Sequence, residues 1–433
     1  MKRVLMVGFH FPPLVGTSGV QRMLRFAQHL PEFGWTPHVL TADERAYPQA
    51  DRSTLSEIPA GVEVTRAFAL DAARHLSVGG RYFRAAAIPD RWSTWIPFAT
   101  WAAVRLIDRM RVDAVWSTYP LASAHAIGAR VHRLRGKPWI ADFRDPMAQE
   151  GYPEDPRLWR SFSKIERRAA ERARFLTFTS PGARALYADR YVDIAPPARF
   201  VILPNGYDEG SFVAGHAEPD RERDSRISSS VRQTGFRPLV LLHSGVVYPS
   251  ERDPTLLFAA LAALRGRGAL DAKRLRLRFR ASSHDDLIRS LAAKYGIPDM
   301  IDLAPAIPYR EALAEMRAAD GLLILQAANC NGQIPAKLYE YLRAGRPILG
   351  MTDPAGDTGQ LLASLKSPYL AALEDQNAIE NVLGTFVSDL GARTAYVVPD
   401  NEVARFSRRN LARDLAALLD QATAPVTAAD ATH

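Results

Sequence analysis

Short apolar runs alternate with longer segments of helical periodicity, and this alternation limits the possible folds more than any other feature of the chain. In the first half, the sequence predicts strands at Val4–Phe9, Pro37–Thr41, Ala114–Ser117, Trp139–Asp142 and Leu176–Thr179, with helices at Gln21–Phe33, Ser123–Arg135 and Leu158–Arg172. Strands that alternate with helices form parallel βαβ units, which assemble into doubly wound sheets. The first half is therefore predicted to be a Rossmann-like domain.

The same pattern begins again in the second half, after a polar stretch at residues 215–230 that we expect to be mobile. Strands are predicted at Leu239–Ser244, Leu275–Ala281, Gly321–Gln326 and Pro347–Met351, and helices at Thr255–Arg265, Asp285–Tyr295 and Ile334–Ala344. Because 433 residues exceed one ordinary hydrophobic core, two domains are expected. We predict an α/β fold with two Rossmann-like doubly wound domains, at residues 1–205 and 206–396.

A final helical segment follows the second domain, within residues 397–422. The predicted helix Glu402–Gln421 carries Phe406, Leu411, Leu415 and Leu418 on one face. We expect the remaining residues, 423–433, to form a disordered tail because they are small and polar.

Charge and cysteine content narrow the class of protein. The net charge is +8, which favours a partner that carries phosphate, such as a nucleotide, a nucleic acid or an anionic membrane. Cys330 is the only cysteine, so a disulfide framework and a cysteine metal site are excluded, and a cytoplasmic location is expected. The apolar run in "MKRVLMVGF" is too short for a signal peptide and is expected to be a buried strand, and no run is long enough to span a membrane.

Two glycine-containing loops follow predicted strands. In open α/β sheets, ligands bind beyond the carboxyl ends of the strands, so these loops are candidate binding sites. The loop "HFPPLVGTSGVQR" holds Gly16 and Gly19 just before a helix whose free N–H groups suit an anion, although a simple tight connection would also need glycine. The loop "HSGVVYPSERDP" holds Gly245 and Arg252; the arginine is suited to phosphate, or it is an ordinary exposed side chain.

Two charged groups stand out beyond these loops. Lys337 and Glu340 share one helix face, where they are suited to a phosphate and to ribose hydroxyls, unless they form an ordinary surface ion pair. Asp142, Arg144 and Asp145 cluster at the carboxyl end of a strand, and we favour a functional role over a structural salt bridge. By contrast, a lone histidine on a helix, His125, is expected to be a packing residue.

Four stretches together carry a resemblance to a known family: "FPPLVGTSGVQRMLRFAQHLPEFGWTPHVLT", "LPNGYD", "HSGVVYPSERDP" and "IPAKLYEYLRAGRPIL". The chain resembles the retaining GT-B glycosyltransferases of glycosyltransferase family 4, and "WIADFRDP" looks like the branch found in bacterial polysaccharide and glycan biosynthesis. The resemblance implies two domains that face a central cleft, with the N-terminal domain on the acceptor side and the last helix returning to it. It also implies a nucleotide-sugar donor, such as a UDP- or GDP-sugar, and neither a cofactor nor a bound metal.

The resemblance also assigns roles to particular residues. Arg252 matches a basic residue that contacts the pyrophosphate, Glu340 matches a glutamate that binds the ribose, and Lys337 is placed for a second phosphate contact. The other donor-binding positions that it implies are Gly16, Gly19, Gly245, Gly332 and Ile307, the last in the stretch "AIPY" that holds the base through backbone atoms.

The chain departs from the family pattern at three positions. Gly332 replaces the first of two glutamates spaced eight apart, and Val246 replaces a common arginine. Arg144 lies in the region where many members have a catalytic histidine. We therefore expect Asp142, Arg144 and Asp145 to supply the catalytic groups, with a carboxylate that orients the acceptor hydroxyl or the donor sugar.

The acceptor side contains aromatic and basic residues in "IPDRWSTWIPFATWAAVRLIDRMR". Such a mixture suits the surface of an anionic membrane, which would bring the protein to a lipid-linked acceptor, and a glycan acceptor is the alternative. Helical spacing nevertheless favours the interpretation that Trp95, Phe98 and Trp101 form a packed stripe.

Other functions remain compatible with the same fold. The protein is either a transferase, a non-catalytic nucleotide-sugar-binding partner of another transferase, or an epimerase that acts on the nucleotide-sugar itself. Nucleic-acid binding is not expected, because only the charge favours it and no motif for RNA or DNA recognition is present.

Overall fold

The computed structural model describes residues 1–16, 19–79, 81–82, 84–213 and 237–425. The chain divides into two compact units: Met1–Asn205 together with Arg408–His433, and Gly206–Ser407. The stretch at 215–230 that was expected to be mobile lies outside the described residues, as do residues 426–433 of the predicted tail.

The first unit is built on a sheet of seven parallel strands, in the order β3-β2-β1-β6-β7-β8-β9. A short antiparallel pair, β4 and β5, lies outside this sheet. The strand order reverses between β1 and β6, and such a reversal opens a crevice at the carboxyl ends of the two strands. The strands of this unit are β1 (Lys2–Val7), β2 (Trp35–Ala42), β3 (Glu63–Ala67), β4 (Ser77–Val78), β5 (Arg81–Tyr82), β6 (Ala114–Thr118), β7 (Trp139–Arg144), β8 (Phe175–Phe178) and β9 (Phe200–Ile202).

Helices cover the sheet of the first unit and bury its apolar side chains in two clusters. The central strands are apolar on both faces, which is typical of parallel sheets; Val4, Leu5, Met6 and Val7 of β1, for example, are fully buried. The first six helices of the chain are α1 (Gly19–His29), α2 (Ala72–His75), α3 (Trp95–Met110), α4 (Ala122–Arg135), α5 (Pro156–Arg172) and α6 (Pro181–Arg190).

The second unit repeats this architecture with six parallel strands, in the order β12-β11-β10-β13-β14-β15. Its order reverses between β10 and β13. The strands are β10 (Leu239–Ser244), β11 (Leu275–Arg280), β12 (Ile301–Ala304), β13 (Gly321–Leu325), β14 (Ile348–Met351) and β15 (Leu370–Ala371). The helices are α7 (Glu209–Val213), α8 (Thr255–Gly266), α9 (Asp285–Lys294), α10 (Tyr309–Ala318), α11 (Ala336–Ala344), α12 (Asp357–Ser364), α13 (Gln376–Ala392) and α14 (Asp400–Val403).

These sheets confirm the predicted α/β fold with two Rossmann-like units. The nine predicted strands are all present, and their ends differ from the predictions by at most two residues. The sequence analysis missed β3, β9, β12 and β15, which lie at the edges of the two parallel sheets, and the short pair β4 and β5. Short, partly polar edge strands have no continuous apolar run to reveal them.

The prediction of one continuous helix over Glu402–Gln421 was wrong. Helix α14 ends at Val403, and the next helix, α15 (Arg408–Thr423), begins after Ser407, whose backbone is extended with φ −64° and ψ 141°. The break separates the apolar residues that were expected on one face. Phe406 packs on the ring of Tyr339 in the second unit, whereas the leucines of α15 pack in the core of the first unit.

Candidate functional site

Lys337 of helix α11 lies against the glycine loop that follows strand β10. A Cβ atom at position 245 would lie 2.6 Å from the Nζ atom of Lys337, and the backbone of Gly245 has φ 118°. The hydroxyl of Tyr341, on the same helix, accepts a hydrogen bond of 2.8 Å from the N–H of Ser244. Glycine is therefore required here both for the turn and for the approach of the lysine.

The ammonium group of Lys337 occupies an unusual environment. Its Nζ atom is buried and makes no hydrogen bond to any residue that the structure describes. Burial, reinforced by the positive charge of Arg252, lowers the pKa of Lys337 to about 7. Burial and Lys337 also hold the pKa of the neighbouring His243 well below its ordinary value, so this imidazole is neutral. A buried cation without a partner is suited to an anionic ligand.

Arg252 lies at the end of the same loop. Its guanidinium donates a hydrogen bond of 2.7 Å to the carbonyl of Val246 and lies 5.2 Å from the ring centre of Tyr248. These contacts hold the guanidinium close to Lys337. Two cationic side chains thus meet at one glycine loop.

Glu340 lies one helical turn beyond Lys337 and accepts a hydrogen bond of 2.8 Å from the hydroxyl of Tyr309. Ile307, the predicted base contact, precedes α10 in the same loop region. A cavity of about 550 Å³ lies beside it and is lined by residues 281–287 and 304–306. Ala281 and Ser283 in its wall have φ 56° and φ 60°, a conformation that non-glycine residues rarely adopt and that concentrates at functional sites.

Gly332 lies in the loop between β13 and α11. The side-chain amide of Gln326, at the end of β13, donates to the carbonyls of Cys330 and Gln333 at 2.7 Å and 3.0 Å and so holds this loop. The main chain of Gly332 is exposed. No carboxylate can come from this position, so an acidic group near a bound sugar would have to come from another residue.

In the first unit, a bulge at the end of β7 turns Arg144 out of the strand. The register to β8 shifts between Asp142 and Arg144, and Arg144 has φ 63°. Thr179 stabilises this backbone through its N–H and its hydroxyl, which both donate to the carbonyl of Arg144. Burial raises the pKa of the following carboxyl, Asp145, although the charge of Arg144 opposes the shift. Bulges of this kind re-aim side chains near active sites.

Asp142 does not suit the catalytic role that was predicted for it. Its carboxylate is fully buried and forms a bidentate ion pair with Arg22 of α1, at 2.7 Å and 2.9 Å. Thr118 and Thr177 donate further hydrogen bonds to it. Burial alone would raise the pKa of Asp142, but Arg22 and the two threonines outweigh it and lower the pKa. Asp142 therefore fits the alternative, a structural salt bridge, because both of its carboxylate oxygens already accept hydrogen bonds.

His10 was missed as a candidate by the sequence analysis. It lies beyond the carboxyl end of β1, and a Cβ atom on Gly19 would collide with its ring and lie 3.0 Å from the guanidinium of Arg144. Burial, together with the charge of Arg144, lowers the pKa of His10 to about 4, so the ring is neutral. The sequence could have indicated His10 through its position just after a predicted strand, since ligands bind beyond the carboxyl ends of such strands. Gly16 has φ 82° in the same loop, and the side chain of Gln49 lies close to it.

Glu166 of α5 anchors the loop that carries Asp145. One of its carboxylate oxygens accepts hydrogen bonds from the N–H groups of Met147 and Ala148 and from the hydroxyl of Tyr187. The other oxygen accepts from Tyr191 and Arg190. A fully buried carboxylate with five donors fixes the loop rigidly, and only the tertiary structure reveals this role.

The interpretation that α3 carries a packed aromatic stripe was wrong for two of its three residues. Trp95 is fully buried, whereas Phe98 is 47% and Trp101 is 62% exposed. His125, in contrast, is confirmed as a packing residue, since it is buried and its ring lies 4.4 Å from that of Phe143. In the described part of the chain, every helix is too short or too polar to span a bilayer.

The predicted site residues thus form one group in each unit. In the second unit, Gly245, Arg252, Lys337 and Glu340 lie around one loop and one helix. In the first unit, Gly19, Arg144 and Asp145 lie at the carboxyl ends of β1 and β7. Among the residues that the structure describes, no group of three or more His, Cys, Asp or Glu side chains is placed to hold a metal ion.

Comparison with known families bears on the first unit. Residues 18–206 match the family model described as "Glycosyl transferase 4-like domain". The match covers slightly less than half of the chain. A search of the curated proteins finds none that matches.

Several solved structures share the fold over nearly the whole chain. A glycosyltransferase from Rickettsia africae has a TM-score of 0.66 at 12% identity and covers 98% of this chain and 99% of its own. The Anabaena protein HepE, solved in complex with UDP, has a TM-score of 0.65 at 13% identity, with coverages of 97% and 100%. WaaG, a glycosyltransferase involved in lipopolysaccharide biosynthesis, has a TM-score of 0.55 at 16% identity, with coverages of 98% and 100%. The two-unit fold is therefore that of GT-B glycosyltransferases.

Proposed function

We propose that the chain is a retaining glycosyltransferase that moves a sugar from a UDP- or GDP-sugar to a hydroxyl of a glycan or a lipid-linked acceptor. The observation that carries the proposal is the cationic loop of the second unit, where the buried ammonium of Lys337 makes no hydrogen bond within the described residues and lies beside Gly245 and Arg252. The family match at residues 18–206 supports transfer to an acceptor.

In this proposal the diphosphate, the ribose and the base of the nucleotide-sugar each bind to residues of the second unit. Lys337 and Arg252 bind the diphosphate, which fits a buried cation next to a glycine turn. Glu340 accepts hydrogen bonds from the ribose hydroxyls, with Tyr309 beside it. The base enters the cavity along residues 281–287 and 304–306, near the backbone of Ile307. The complexes of HepE with UDP and with UDP-glucose support a UDP-sugar as the donor.

The proposed reaction proceeds on one face of the donor sugar. The oxygen of the acceptor hydroxyl attacks the anomeric carbon while the bond from that carbon to the diphosphate breaks. The hydroxyl proton passes to an oxygen of the departing diphosphate. The configuration is retained because the new bond forms on the face that the diphosphate leaves. Lys337 and Arg252 stabilise the charge that develops on the diphosphate, and electrostatic stabilisation of this kind replaces a bound metal. Asp145, held by the Glu166 network, orients the acceptor hydroxyl.

The cellular setting forms part of the same proposal. We place the protein in the cytoplasm, in the synthesis of a bacterial polysaccharide or other glycan. Nucleotide-sugars are cytoplasmic substrates, and the single cysteine fits a reducing compartment.

The donor site is tested by thermal-shift and calorimetric titration of the purified protein with UDP, GDP, ADP and their common sugar conjugates. We expect one nucleotide series to stabilise the wild type, and Lys337→Met and Glu340→Gln to weaken its binding at least tenfold. Arg276→Gln is the matched control, because Arg276 is an exposed side chain of β11 in the same unit. No stabilisation by any nucleotide, or equal weakening by Arg276→Gln, would reject the donor site.

Gly332 supports one alternative, a nucleotide-sugar-binding protein without transferase activity. The missing carboxylate leaves the sugar with fewer protein contacts than the family pattern provides. The two functions differ in turnover: a transferase releases free nucleotide in the presence of an acceptor, and Asp145→Asn reduces this release without weakening nucleotide binding. Tight binding together with no release, from any acceptor extract, would favour the non-catalytic function.

A further inference from the structure

An exposed group of aromatic and basic side chains lies on the first unit, at the outer surface of α3. Trp101 and Phe98 of α3 are 62% and 47% exposed, and Phe68, which follows β3, is 37% exposed. The rings of Phe68 and Phe98 are in edge-to-face contact, with their centres 4.9 Å apart. We call this surface, with Arg45, Arg105 and Arg109, the aromatic–arginine patch.

The arginines of the patch lie next to its rings. The guanidinium of Arg105 lies 4.7 Å from the ring centre of Trp101, and that of Arg45 lies 5.5 Å from the ring centre of Phe68. Beside Trp101, a groove of about 580 Å³ is lined by Thr65, Trp101, Ala102, Arg105, Leu106, Asp108 and Arg109. Each exposed ring of the patch therefore has a guanidinium group or a second ring beside it.

Two of the three arginines of the patch have no acidic partner among the described residues, whereas Arg45 pairs with Asp43 at 2.8 Å. Arg105 and Arg109 form no ion pair with any described residue, and Asp108, an acid in the groove, is occupied by a bidentate pair with Arg135 of α4. The surface is thus suited to a dense layer of anions.

We propose that the aromatic–arginine patch docks the protein on the headgroups of an anionic phospholipid membrane. Tryptophan and phenylalanine are stable at headgroup depth, where their rings leave water and the arginines contact lipid phosphates. A second copy of the chain fits less well, since a two-fold contact would place the arginines of one copy against those of the other. The docking does not depend on the proposed transfer reaction, and it would bring a lipid-linked acceptor within reach of the first unit.

The test is co-sedimentation of the full-length protein with vesicles of phosphatidylcholine alone and of phosphatidylcholine with phosphatidylglycerol. We expect binding to the anionic vesicles at low salt that weakens as salt is added. Arg105→Gln should weaken it about fivefold, since each basic residue near the surface contributes on that scale. Trp101→Ala should also weaken it, because the ring no longer leaves water for the headgroup layer. Both side chains are exposed, so thermal unfolding should not change. Arg276→Gln, in the second unit, removes the same charge and should bind like the wild type.

Three outcomes would overturn the proposal. The first is no binding of the wild type to anionic vesicles, and the second is equal binding by the wild type and both patch variants. The third is an equal loss with Arg276→Gln, which would mean that net charge rather than the patch causes binding. Self-association that is lost in Trp101→Ala, measured by sedimentation velocity without lipid, would assign the patch to a contact between two copies instead.

Discussion

Lys337 illustrates how the surroundings of one residue decide its chemistry. In water a lysine is fully protonated at neutral pH, but here the turn at Gly245 encloses its ammonium group and Arg252 repels it. The charge is therefore present only in part when the site is empty, and an anionic ligand restores it. Binding of the donor is thus expected to take up a proton.

This leads to a pH dependence of donor affinity. In the protein without a ligand the pKa of Lys337 is about 7, and a bound diphosphate raises it. The affinity for the nucleotide-sugar should therefore be greatest below pH 7. It should fall by up to about tenfold per pH unit above that value, until the pKa of the complex is reached. Calorimetry with a nucleotide-sugar between pH 6 and 9 measures this fall, since its diphosphate does not titrate in that range. An unchanged slope in Lys337→Met would contradict the assignment to Lys337.

A second prediction at this scale concerns Gly245. Gly245→Ala should lower the free energy of unfolding by about 1–3 kcal/mol because φ 118° is strained for alanine, and its methyl group should displace Lys337. Chemical denaturation and nucleotide titration measure the two effects. Gly266→Ala, at the end of α8, is the control: no heavy atom lies near its added Cβ, and it should change stability by at most about 1 kcal/mol, in the stabilising direction. A stable Gly245→Ala variant with normal binding would refute this account.

At the scale of elements, the pair of Arg22 and Asp142 joins helix α1 to strand β7. Arg22 also donates to the carbonyls of Leu203 and Pro204, which follow β9. One guanidinium thereby connects a helix, a central strand and the end of the sheet. Removing one member of a buried pair leaves an uncompensated charge, which costs far more than the loss of a surface pair.

Arg22→Met should therefore lower the free energy of unfolding by about 3–5 kcal/mol at pH 7. Arg289→Met, which breaks an exposed pair with Asp286, should change it by less than about 1 kcal/mol. Urea denaturation measures both variants. Equal effects of the two substitutions would mean that the buried pair contributes no more than a surface pair.

The ion pair of Arg22 and Asp142 should also make the free energy of unfolding depend on pH. The pKa of Asp142 is lower in the folded state than in the unfolded chain, so its contribution is complete above the unfolded value, about 3.9, and is lost as the pH falls through the folded value. The difference in unfolding free energy between the wild type and Arg22→Met should shrink as the pH falls. It shrinks first because burial raises the pKa of the Asp142 carboxyl once Arg22 is removed, so that the variant neutralises it, and then, below about pH 4, because the wild type loses its own ion pair. A difference that stays constant from pH 7 to pH 3 would exclude the carboxylate as its source.

At the scale of the whole molecule, the proposed reaction predicts the configuration of its product. An α-configured donor should give an α-linked product, which the coupling of the anomeric proton in an NMR spectrum reports. Turnover should be unchanged after treatment with EDTA, because the cationic loop is proposed to do the work of a metal. A β-linked product, or activity that EDTA abolishes and a divalent cation restores, would refute these two parts of the proposal separately.

Much of the architecture could be predicted from the sequence, but the exposure of single side chains could not. The alternation of apolar runs and helices predicted both parallel sheets, since burial on two faces leaves a continuous apolar signal. The spacing of Trp95, Phe98 and Trp101 predicted a helix correctly, yet only Trp95 is buried. Helical spacing shows which residues share one face of a helix. It does not show how far the neighbouring elements cover that face, so it cannot tell which of these residues are buried.

The sequence by itself determined the two parallel α/β units and placed Gly245, Arg252, Lys337 and Glu340 in neighbouring loops and helices, because local periodicity and strand-end position are encoded along the chain. Only the tertiary structure decided which charges are already paired. Asp142 meets Arg22 across 120 residues of sequence, and Lys337 meets Gly245 across a sheet crossover. Burial and pairing depend on contacts between distant segments, so they appear only after the chain has folded.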